Sequence, residues 1–372
     1  MKKIAIIGRG TAGCYAASHF LRWTDWEIDW YFDPKISPQA VGEGSTLDFP
    51  KDLDLNLGFN VSELESIYGT AKAGIKKVNW GPGKEFVHTF PGGHVGYHFN
   101  AVLLQEWIIS KLKTNRRVAF FEKNVTADVV DADYVMDCSG KPSNFDKFTM
   151  SEYIPVNSVH VTQCFWEGVK FQYTLTIARP YGWVFGIPLL NRCSIGYMYN
   201  NNINTLEEVK EDVKQIFKDY NLTPSDTTNS FSFKNYYRNV NYEGRVAYNG
   251  NTSFFLEPLE ATSINFMNRN QRRAFDYWHF NKSLEETNKE YSDEIKEIEN
   301  VIMLHYAAGS IYETKFWEEA QQRGYKNFLS LLMNPRFREI LNTPDESMHY
   351  GTWNKRSFHQ NLPALDLFNK IL

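Results

Sequence analysis

Three glycines near the start of the chain have the spacing of a phosphate-binding turn. An apolar run from Lys3 to Ile7 precedes them, and a helical pattern from Tyr15 to Leu21 follows. Glycines so placed let the turn tighten and let the backbone approach a pyrophosphate, which the free N–H groups of the helix start can bind. Because both flanks are correct, the segment predicts dinucleotide binding rather than a structural glycine turn. The residues assigned to the cofactor here are Gly8, Gly10, Thr11, Ala12 and Gly13.

A carboxylate follows at the distance expected for a ribose contact. A second run, Glu27 to Phe32, predicts another strand, and it ends at Asp33, about 20 residues beyond the last glycine. A carboxylate in that place accepts hydrogen bonds from ribose hydroxyls. Asp33 is therefore predicted to bind the ribose.

Composition narrows the functional class. The 372 residues are 42% hydrophobic and 16% aromatic, which is enough to bury a sizeable core. The formal net charge of -4 and the lack of a basic stripe argue against a nucleic-acid partner. An aromatic-rich chain of this kind better suits a hydrophobic pocket.

Cysteine usage and hydropathy predict a soluble cytoplasmic protein. The cysteines form no CxxC pair, so we expect neither a disulfide framework nor a metal site. No stretch approaches the roughly 18 apolar residues of a membrane span, so no membrane partner is expected. The sequence leaves the oligomeric state open, a homodimer included. The four cysteines are Cys14, Cys138, Cys164 and Cys193.

Periodicity predicts the remaining elements. A helix is predicted from Ile67 to Ile75, and a returning strand from Asp133 to Met136. Alternating polar and apolar residues from Phe171 to Tyr199 predict an antiparallel sheet. The C-terminal part is predicted to be helical over 285–303 and 316–323.

Several separated motifs lie along the chain in a fixed order. They include AKAGIKKVNW at 71–80, GWVFGIP at 182–188 and FLEPLEAT at 255–262. Shorter blocks lie at 8–13, 41–46, 97–99, 137–140, 304–306 and 316–317. Together these blocks resemble the flavin-dependent tryptophan halogenases, and they span nearly the whole sequence.

The resemblance implies an α/β fold with two interleaved lobes. One is an FAD-binding Rossmann-like domain of the glutathione-reductase and hydroxybenzoate-hydroxylase type, and the other is an antiparallel-sheet substrate lobe with C-terminal helices. The FAD-binding lobe is expected to comprise residues 1–50, 97–150 and 240–275. The substrate lobe and helices are expected to comprise residues 51–96, 151–239 and 276–372.

The resemblance also implies the cofactors, which are FAD, used as FADH2, and a halide ion, whether chloride, bromide or iodide. Asn251 stands where relatives place an aspartate near the flavin chain, and its amide can still form hydrogen bonds. The further FAD-binding residues carried over by position are Val41, Gly42, Glu43, Ser45, Gly250, Asn251 and Leu256.

Lys72 matches the family's essential lysine. In the implied chemistry, reduced flavin and oxygen convert halide to hypohalous acid, which passes through a tunnel to this lysine. Its ammonium can activate the halogen, or its amine can form a haloamine. The alternative is a lysine on a solvated helix face beside Lys76 and Lys77.

Glu260 matches a carboxylate that stabilises the cationic intermediate of aromatic substitution or accepts its proton. Its alternative is a carboxylate that serves a helix dipole. Thr262 and Ser263 match the halide-binding positions, at a helix start where anions are stabilised. Ser263 replaces a glycine, so a looser site would favour the larger bromide or iodide.

Aromatic residues complete the implied site. Trp183 matches a tryptophan that keeps substrate from the flavin, and Phe185 replaces a second one. His88 and Phe90 resemble the lining that sandwiches the substrate ring, and Pro258 is assigned to the tunnel. Ordinary core packing is the alternative for each aromatic residue.

The implied reaction is halogenation of an electron-rich ring. The sequence is shorter than its tryptophan-specific relatives between Trp80 and Tyr97 and near its C-terminus, so a small phenol or indole is expected rather than free tryptophan. A separate flavin reductase is expected as the partner, because no second nicotinamide-binding motif is present. The rival interpretations are a flavin-dependent aromatic monooxygenase, which needs no Lys72, and an inactive FAD-binding protein.

Overall fold

The computed structural model describes residues 1–36, 43–83 and 85–368. Val41 and Gly42, both predicted to bind FAD, lie outside the described residues. The strands are β1 (Lys3–Ile7), β2 (Glu27–Phe32), β3 (Thr70–Lys72), β4 (Gly74–Val78), β5 (Phe86–Thr89), β6 (Gly96–His98), β7 (Val118–Glu122), β8 (Tyr134–Asp137), β9 (Phe148–Met150), β10 (Ser158–Phe165), β11 (Tyr173–Arg179), β12 (Gly182–Pro188), β13 (Cys193–Tyr199), β14 (Thr223–Ser232), β15 (Tyr236–Arg238), β16 (Tyr242–Glu243), β17 (Val246–Tyr248), β18 (Phe254–Phe255), β19 (His349–Tyr350) and β20 (Trp353–Asn354).

Helices alternate with these strands. The α-helices are α1 (Thr11–Trp23), α2 (Asp48–Leu57), α3 (Ala101–Leu112), α4 (Leu206–Asp219), α5 (Thr262–His279), α6 (Leu284–Ala308), α7 (Lys315–Leu332), α8 (Pro335–Asn342) and α9 (Lys355–Ala364). Short 3-10 helices span Val61–Ile67, Gly250–Thr252 and Leu259–Ala261. Within the described part of the chain, no helix combines the length and apolar character needed to cross a membrane.

The chain divides into two compact units, each built from separated segments. Unit 1 comprises Met1–Ala71, Gly96–Met150 and Tyr236–Asp293. Unit 2 comprises Lys72–Val95, Ser151–Asn235 and Glu294–Leu372. The assignment of a cofactor role to one lobe and a substrate role to the other stays a prediction.

Unit 1 is built on a six-stranded sheet in the order β16-β17-β8-β1-β2-β7. Strand β1 is central and pairs in parallel with β2 and β8. Its residues Ile4 to Ile6 are completely buried, as a strand covered on both faces requires. Phe20 of α1 packs against Trp278 of α5, with ring centroids 5.8 Å apart. This parallel core confirms the predicted strand, glycine turn and helix at the N-terminus.

Unit 2 is built on a seven-stranded sheet in the order β14-β10-β13-β12-β11-β4-β5. Strands β10 to β13 pair antiparallel, which confirms the sheet predicted for residues 171–199. Apolar residues of this sheet, including Leu175 and Ile195, pack with Val209 and Val213 of α4. Helix α4 starts with a capping box between Thr205 and Glu208, which satisfies its first N–H groups.

The helix predicted from Ile67 to Ile75 is wrong. A 3-10 helix ends at Ile67, and the chain then forms β3 and β4. Strand β4 pairs in parallel with β11, about a hundred residues later, and antiparallel with β5. Pairing with these two strands overrides the helix propensity of the alanines and lysines. Lys72 therefore ends a strand and does not lie on a helix.

Candidate functional site

The N-terminal turn of unit 1 requires glycine at two positions. Gly8 has φ = 104°, and a Cβ there would lie 2.2 Å from the carbonyl oxygen of Cys138. A Cβ on Gly13 would lie 2.1 Å from the carbonyl oxygen of Gly8. Glycine at these positions lets β1, β8 and α1 approach each other closely, as a dinucleotide-binding turn requires.

The start of α1 can accept an anion. Gly10 is its N-cap residue, and no side chain caps the helix there. A Cβ built on Gly10 meets no described atom within 4 Å, so open space lies beside this N-cap residue. The neighbouring Thr11 accepts a hydrogen bond from Nε2 of Gln105, 3.0 Å away. Open space, unpaired N–H groups and the helix dipole together fit a pyrophosphate.

Asp33 directly follows β2 and is half-buried. Its Oδ1 accepts a hydrogen bond from the Lys35 N–H, 2.9 Å away. The guanidinium of Arg9 lies 4.8 Å from the centre of the Phe32 ring beside it. The carboxylate is thus placed at the end of the strand next to β1, and its ribose contact stays a prediction.

Glu43 and Ser45, also predicted for FAD, are both buried. The Ser45 hydroxyl accepts a hydrogen bond from the Tyr97 N–H at 2.8 Å and donates one to the Thr46 carbonyl at 3.0 Å. The Glu43 carbonyl accepts from the Phe99 N–H at 2.9 Å. These bonds hold the segment against β6, so a structural role for Ser45 is visible here.

A second turn of unit 1 lies against α1. Gly250 has φ = 63°, and a Cβ there would lie 2.9 Å from the Cβ of Ala12. The carbonyl of the next residue, Asn251, accepts a hydrogen bond from the Tyr236 hydroxyl at 2.8 Å. Leu256 is completely buried nearby in the chain. The structure therefore brings Ala12 and Gly250 together, as their shared assignment to the cofactor requires.

The segment before α5 has an unusual backbone. Glu260 and Ala261 have φ = 71° and 55°, the left-handed region that side chains rarely adopt. Both the Glu260 side chain and Thr262, the first residue of α5, are buried. The Thr262 hydroxyl has no hydrogen-bond partner among the described residues. Strain of this kind occurs where a site holds its residues in place, and the helix start fits a halide.

Two other predicted residues of this segment lie nearer the surface. Pro258 is exposed and its carbonyl accepts a hydrogen bond from the Ala261 N–H at 3.0 Å. Ser263 is half-buried in the first turn of α5. The tunnel assigned to Pro258 stays a prediction.

Unit 2 holds Lys72, His88 and Phe90 together. The Lys72 side chain is completely buried, and its Nζ lies 5.7 Å from the centre of the Phe90 ring. The rings of Phe90 and His88 are 6.4 Å apart in an edge-on arrangement. Nε2 of His88 lies 3.0 Å from the Ser357 hydroxyl, a hydrogen bond that orients the imidazole. A solvated position for Lys72, the alternative suggested by its sequence, is therefore excluded.

Three further residues around this cluster, Trp353, Lys77 and Asn361, were not predicted from the sequence. Trp353 packs edge-on against His88 with ring centroids 5.7 Å apart. Lys77, also completely buried, donates a hydrogen bond to Oδ1 of Asn361 at 2.5 Å. Trp353 and Asn361 lie more than 260 residues after His88, and no local motif marks them. Lys77 was named only as a neighbour of Lys72 on a solvated helix face, the alternative interpretation, and its burial in β4 excludes that position.

Trp183 and Phe185 share one face of β12, with ring centroids 6.3 Å apart. Trp183 is completely buried and lies 6.4 Å from Trp80. Phe185 fills the space above Gly196, where a Cβ would lie 2.0 Å from its ring. Their aromatic bulk is thus part of the interior of unit 2, and a blocking role toward substrate stays a prediction.

Comparison with known proteins identifies the family. The model described as tryptophan halogenase matches residues 3–127 and 110–362, which is nearly the whole chain. This chain belongs to the tryptophan halogenase family. The α/β class with an FAD-binding Rossmann-type domain is thereby confirmed. Membership implies FADH2 and a halide as cofactors, and the N-termini of α1 and α5 suit these anions.

Curated tryptophan halogenases are distant relatives. Tryptophan 7-halogenase RebH of Lentzea aerocolonigenes is 25% identical over 274 residues, which cover 66% of this chain and 51% of that protein. Tryptophan 6-halogenase ThaL of Streptomyces albogriseolus is 25% identical over 204 residues, which cover 51% and 38%. The matched part thus spans about half the length of these curated relatives, or less.

Solved halogenase structures share the fold over almost all of the chain. Xcc4156, a flavin-dependent halogenase from Xanthomonas campestris, superposes with a TM-score of 0.82 at 18% identity, covering 98% of this chain and 89% of that one. Tryptophan halogenase from Shewanella frigidimarina superposes with a TM-score of 0.82 at 16% identity, covering 98% of this chain and 89% of that one.

Proposed function

We propose that this protein catalyses the FADH2- and O2-dependent halogenation of an electron-rich aromatic substrate. FADH2, with oxygen and halide, supplies the oxidised halogen as hypohalous acid, which reaches Lys72 through a tunnel. The observation that carries the proposal is the complete burial of Lys72 with its Nζ beside the Phe90 ring. Burial of a lysine without a functional reason is disfavoured, because desolvation of an ammonium costs several kcal/mol.

Lys72 then delivers the halogen to the ring. Its ammonium donates a hydrogen bond to hypohalous acid and makes the halogen more electrophilic, or its amine forms a haloamine. Phe90 and His88 beside it offer aromatic faces on which a flat substrate can stack. An indole or a phenol fits such a lining, and this chemistry supports an aromatic substrate class.

Unit 1 supplies the groups for the cofactors and for the proton. The N-termini of α1 and α5 bind the pyrophosphate and the halide through their N–H groups, with Thr262 and Ser263 at the halide. Glu260 stabilises the cationic intermediate or accepts the proton that leaves the ring. Asp33, Gly250 and Asn251 complete the contacts to the flavin.

A separate flavin reductase is the proposed partner that supplies FADH2. The test offers the purified protein FAD, a reductase and oxygen with chloride, bromide or iodide, and a panel of phenols and indoles read by mass spectrometry. Halogenated product that requires halide supports the proposal. Hydroxylated product without halide dependence would instead identify a monooxygenase, and failure with every substrate and halide would favour an inactive FAD-binding protein.

A further inference from the structure

Lys77 is a second completely buried lysine of unit 2, and the proposed mechanism does not use it. Its Nζ donates a hydrogen bond to Oδ1 of Asn361, 2.5 Å away. Nδ2 of Asn361 donates to the Ser357 carbonyl at 2.8 Å, which fixes the amide with its oxygen toward Lys77. The lysine is therefore held in one place as a hydrogen-bond donor.

The same nitrogen lies over two aromatic rings. It is 5.3 Å from the centre of the Trp353 ring and 5.6 Å from that of Phe86. Both distances fall within the range of cation–π contacts. The charge of Lys77 thus acts directly on the electrons of the Trp353 indole.

Two side chains, those of His88 and Phe90, link Trp353 to Lys72 by successive contacts. The Trp353 ring contacts His88, the His88 ring contacts Phe90, and Phe90 flanks the Nζ of Lys72. An indole is the most electron-rich ring in proteins, and Trp353 is therefore a competing target for any electrophilic halogen present at Lys72.

Halogenation of a ring passes through a cation. Hypohalous acid transfers its halogen to a ring carbon, the carbon loses its proton, and the balance is ArH + HOX → ArX + H2O. The ring is positively charged between these two steps. An ammonium 5.3 Å away repels that charge, and the repulsion is strong where water is excluded.

We propose that Lys77 protects Trp353 from halogenation by the oxidant of the protein's own site. This inference rests on the proposed function, because it requires hypohalous acid near Lys72. It also accounts for an ammonium in the interior, where an apolar side chain would avoid the cost of desolvation. The cation of the substrate ring differs from that of Trp353, because in the proposed function the Glu260 carboxylate stabilises it.

The test compares the wild type, Lys77→Leu and Lys77→Arg. Leucine removes the charge and does not react with hypobromous acid, whereas arginine keeps the charge. Each purified protein, without flavin or substrate, is treated with dilute hypobromous acid, and peptide mapping measures bromine at each tryptophan. Trp317, equally buried at 2% exposure against 1% for Trp353, is the internal reference.

We expect the bromination rate of Trp353, relative to Trp317, to rise at least about tenfold in Lys77→Leu. Lys77→Arg should stay within about twofold of the wild type. An unchanged Trp353 in Lys77→Leu would overturn the proposal, and so would an equal rise in both variants, because that would indicate altered packing rather than lost charge. Melting temperature and near-UV circular dichroism verify the fold.

A measurement on the wild type alone covers the case in which the leucine variant does not fold. Trp353 should be brominated more slowly than Trp80 and Trp317, which are just as buried and have no described cation over their rings. Faster bromination of Trp353 would overturn the proposal.

A parallel reaction with FAD, reductase, oxygen and bromide separates a failure of the proposed function from a failure of the role proposed for Lys77. If it brominates neither a phenol or indole nor the protein, the proposed function fails, while the reagent experiment still decides the role of Lys77.

Discussion

The Nζ of Lys72 lies 5.7 Å from the centre of the Phe90 ring, inside unit 2 and shielded from solvent. This contact places the Lys72 ammonium against the Phe90 ring, where water does not screen its electric field. The neighbouring His88 forms a hydrogen bond with Ser357, which orients its ring, and packs against Trp353. The arrangement keeps the Lys72 side chain buried beside the Phe90 ring, where we propose that the substrate ring stacks.

The Glu260 carboxylate gives the first prediction. Glu260→Gln keeps the shape of the side chain and removes the charge, so the proton of the halogenated ring loses its acceptor. We expect kcat to fall by about a hundredfold with KM nearly unchanged. Steady-state kinetics with a phenol or an indole measure this. A rise in KM alone would instead show that Glu260 only binds substrate.

Gly10 and Gly13 give a matched pair of variants in the same turn. Gly13→Ala forces a Cβ to within 2.1 Å of the Gly8 carbonyl oxygen, and we expect about 1–3 kcal/mol of destabilisation. Gly10→Ala meets no described atom, so its melting temperature should match the wild type. Its FAD affinity should nevertheless fall by about tenfold or more, because the new methyl group occupies the space of the pyrophosphate. Thermal melting and flavin fluorescence titration measure both effects, and unchanged FAD binding by Gly10→Ala would place the phosphate elsewhere.

His19 gives a prediction for acid stability. Burial, aided by the charge of Arg272, lowers the pKa of His19 from 6.5 to about 3. Folded protein binds a proton at His19 more weakly than the unfolded chain does. The contribution of neutral His19 to the free energy of unfolding is therefore fully present above pH 6.5 and is lost as the pH falls toward 3. Relative to His19→Leu, the wild type should lose about 3 kcal/mol between pH 7.5 and pH 4. Urea unfolding at both pH values measures the difference, and parallel losses in the two proteins would show that His19 is accessible to protons.

The thiol of Cys164 gives a prediction for chemical reactivity. Burial raises the pKa of this thiol from 9.0 to about 12, and Cys193 lies opposite it on the neighbouring strand. At pH 8 its thiolate fraction is therefore about a thousandfold below that of a free cysteine. Iodoacetamide should leave Cys164 unmodified in the native protein and label it after denaturation. Rapid labelling of the native protein, read by peptide mass, would contradict this packing.

Local patterns were sufficient where the hydrophobic pattern and the turn residues of a segment agree with its final structure. The bounds of β1 and β2 agree with the predicted runs, because a glycine turn separates an apolar strand from an amphipathic helix. The segment at 67–75 was misinterpreted because its strand β4 is stabilised by pairing with β5, which follows closely, and with β11, about a hundred residues later. Gly74 shows the constraint that local propensity does not reveal, since a Cβ there would lie 2.3 Å from the His88 carbonyl oxygen.

Some residues of the candidate site could be predicted from local motifs, and others could not. Lys72, His88 and Phe90 were found through motifs within one short stretch of chain. Trp353 and Asn361 belong to β20 and α9, and folding alone brings them to this stretch. Their contribution depends on packing between distant segments, which no spacing in the sequence encodes.

The proposed delivery of the halogen by Lys72 can be tested with two lysine variants. Lys72→Met and Lys76→Met remove lysines four residues apart, and Lys76 is partly exposed and paired with Glu85 at 2.5 Å. Each variant is first shown to bind FAD and to melt like the wild type, and halogenated product is then measured with reductase, oxygen and bromide. We predict a loss of at least about a hundredfold for Lys72→Met and a change within about twofold for Lys76→Met. Full halogenation by Lys72→Met would show that Lys72 does not deliver the halogen.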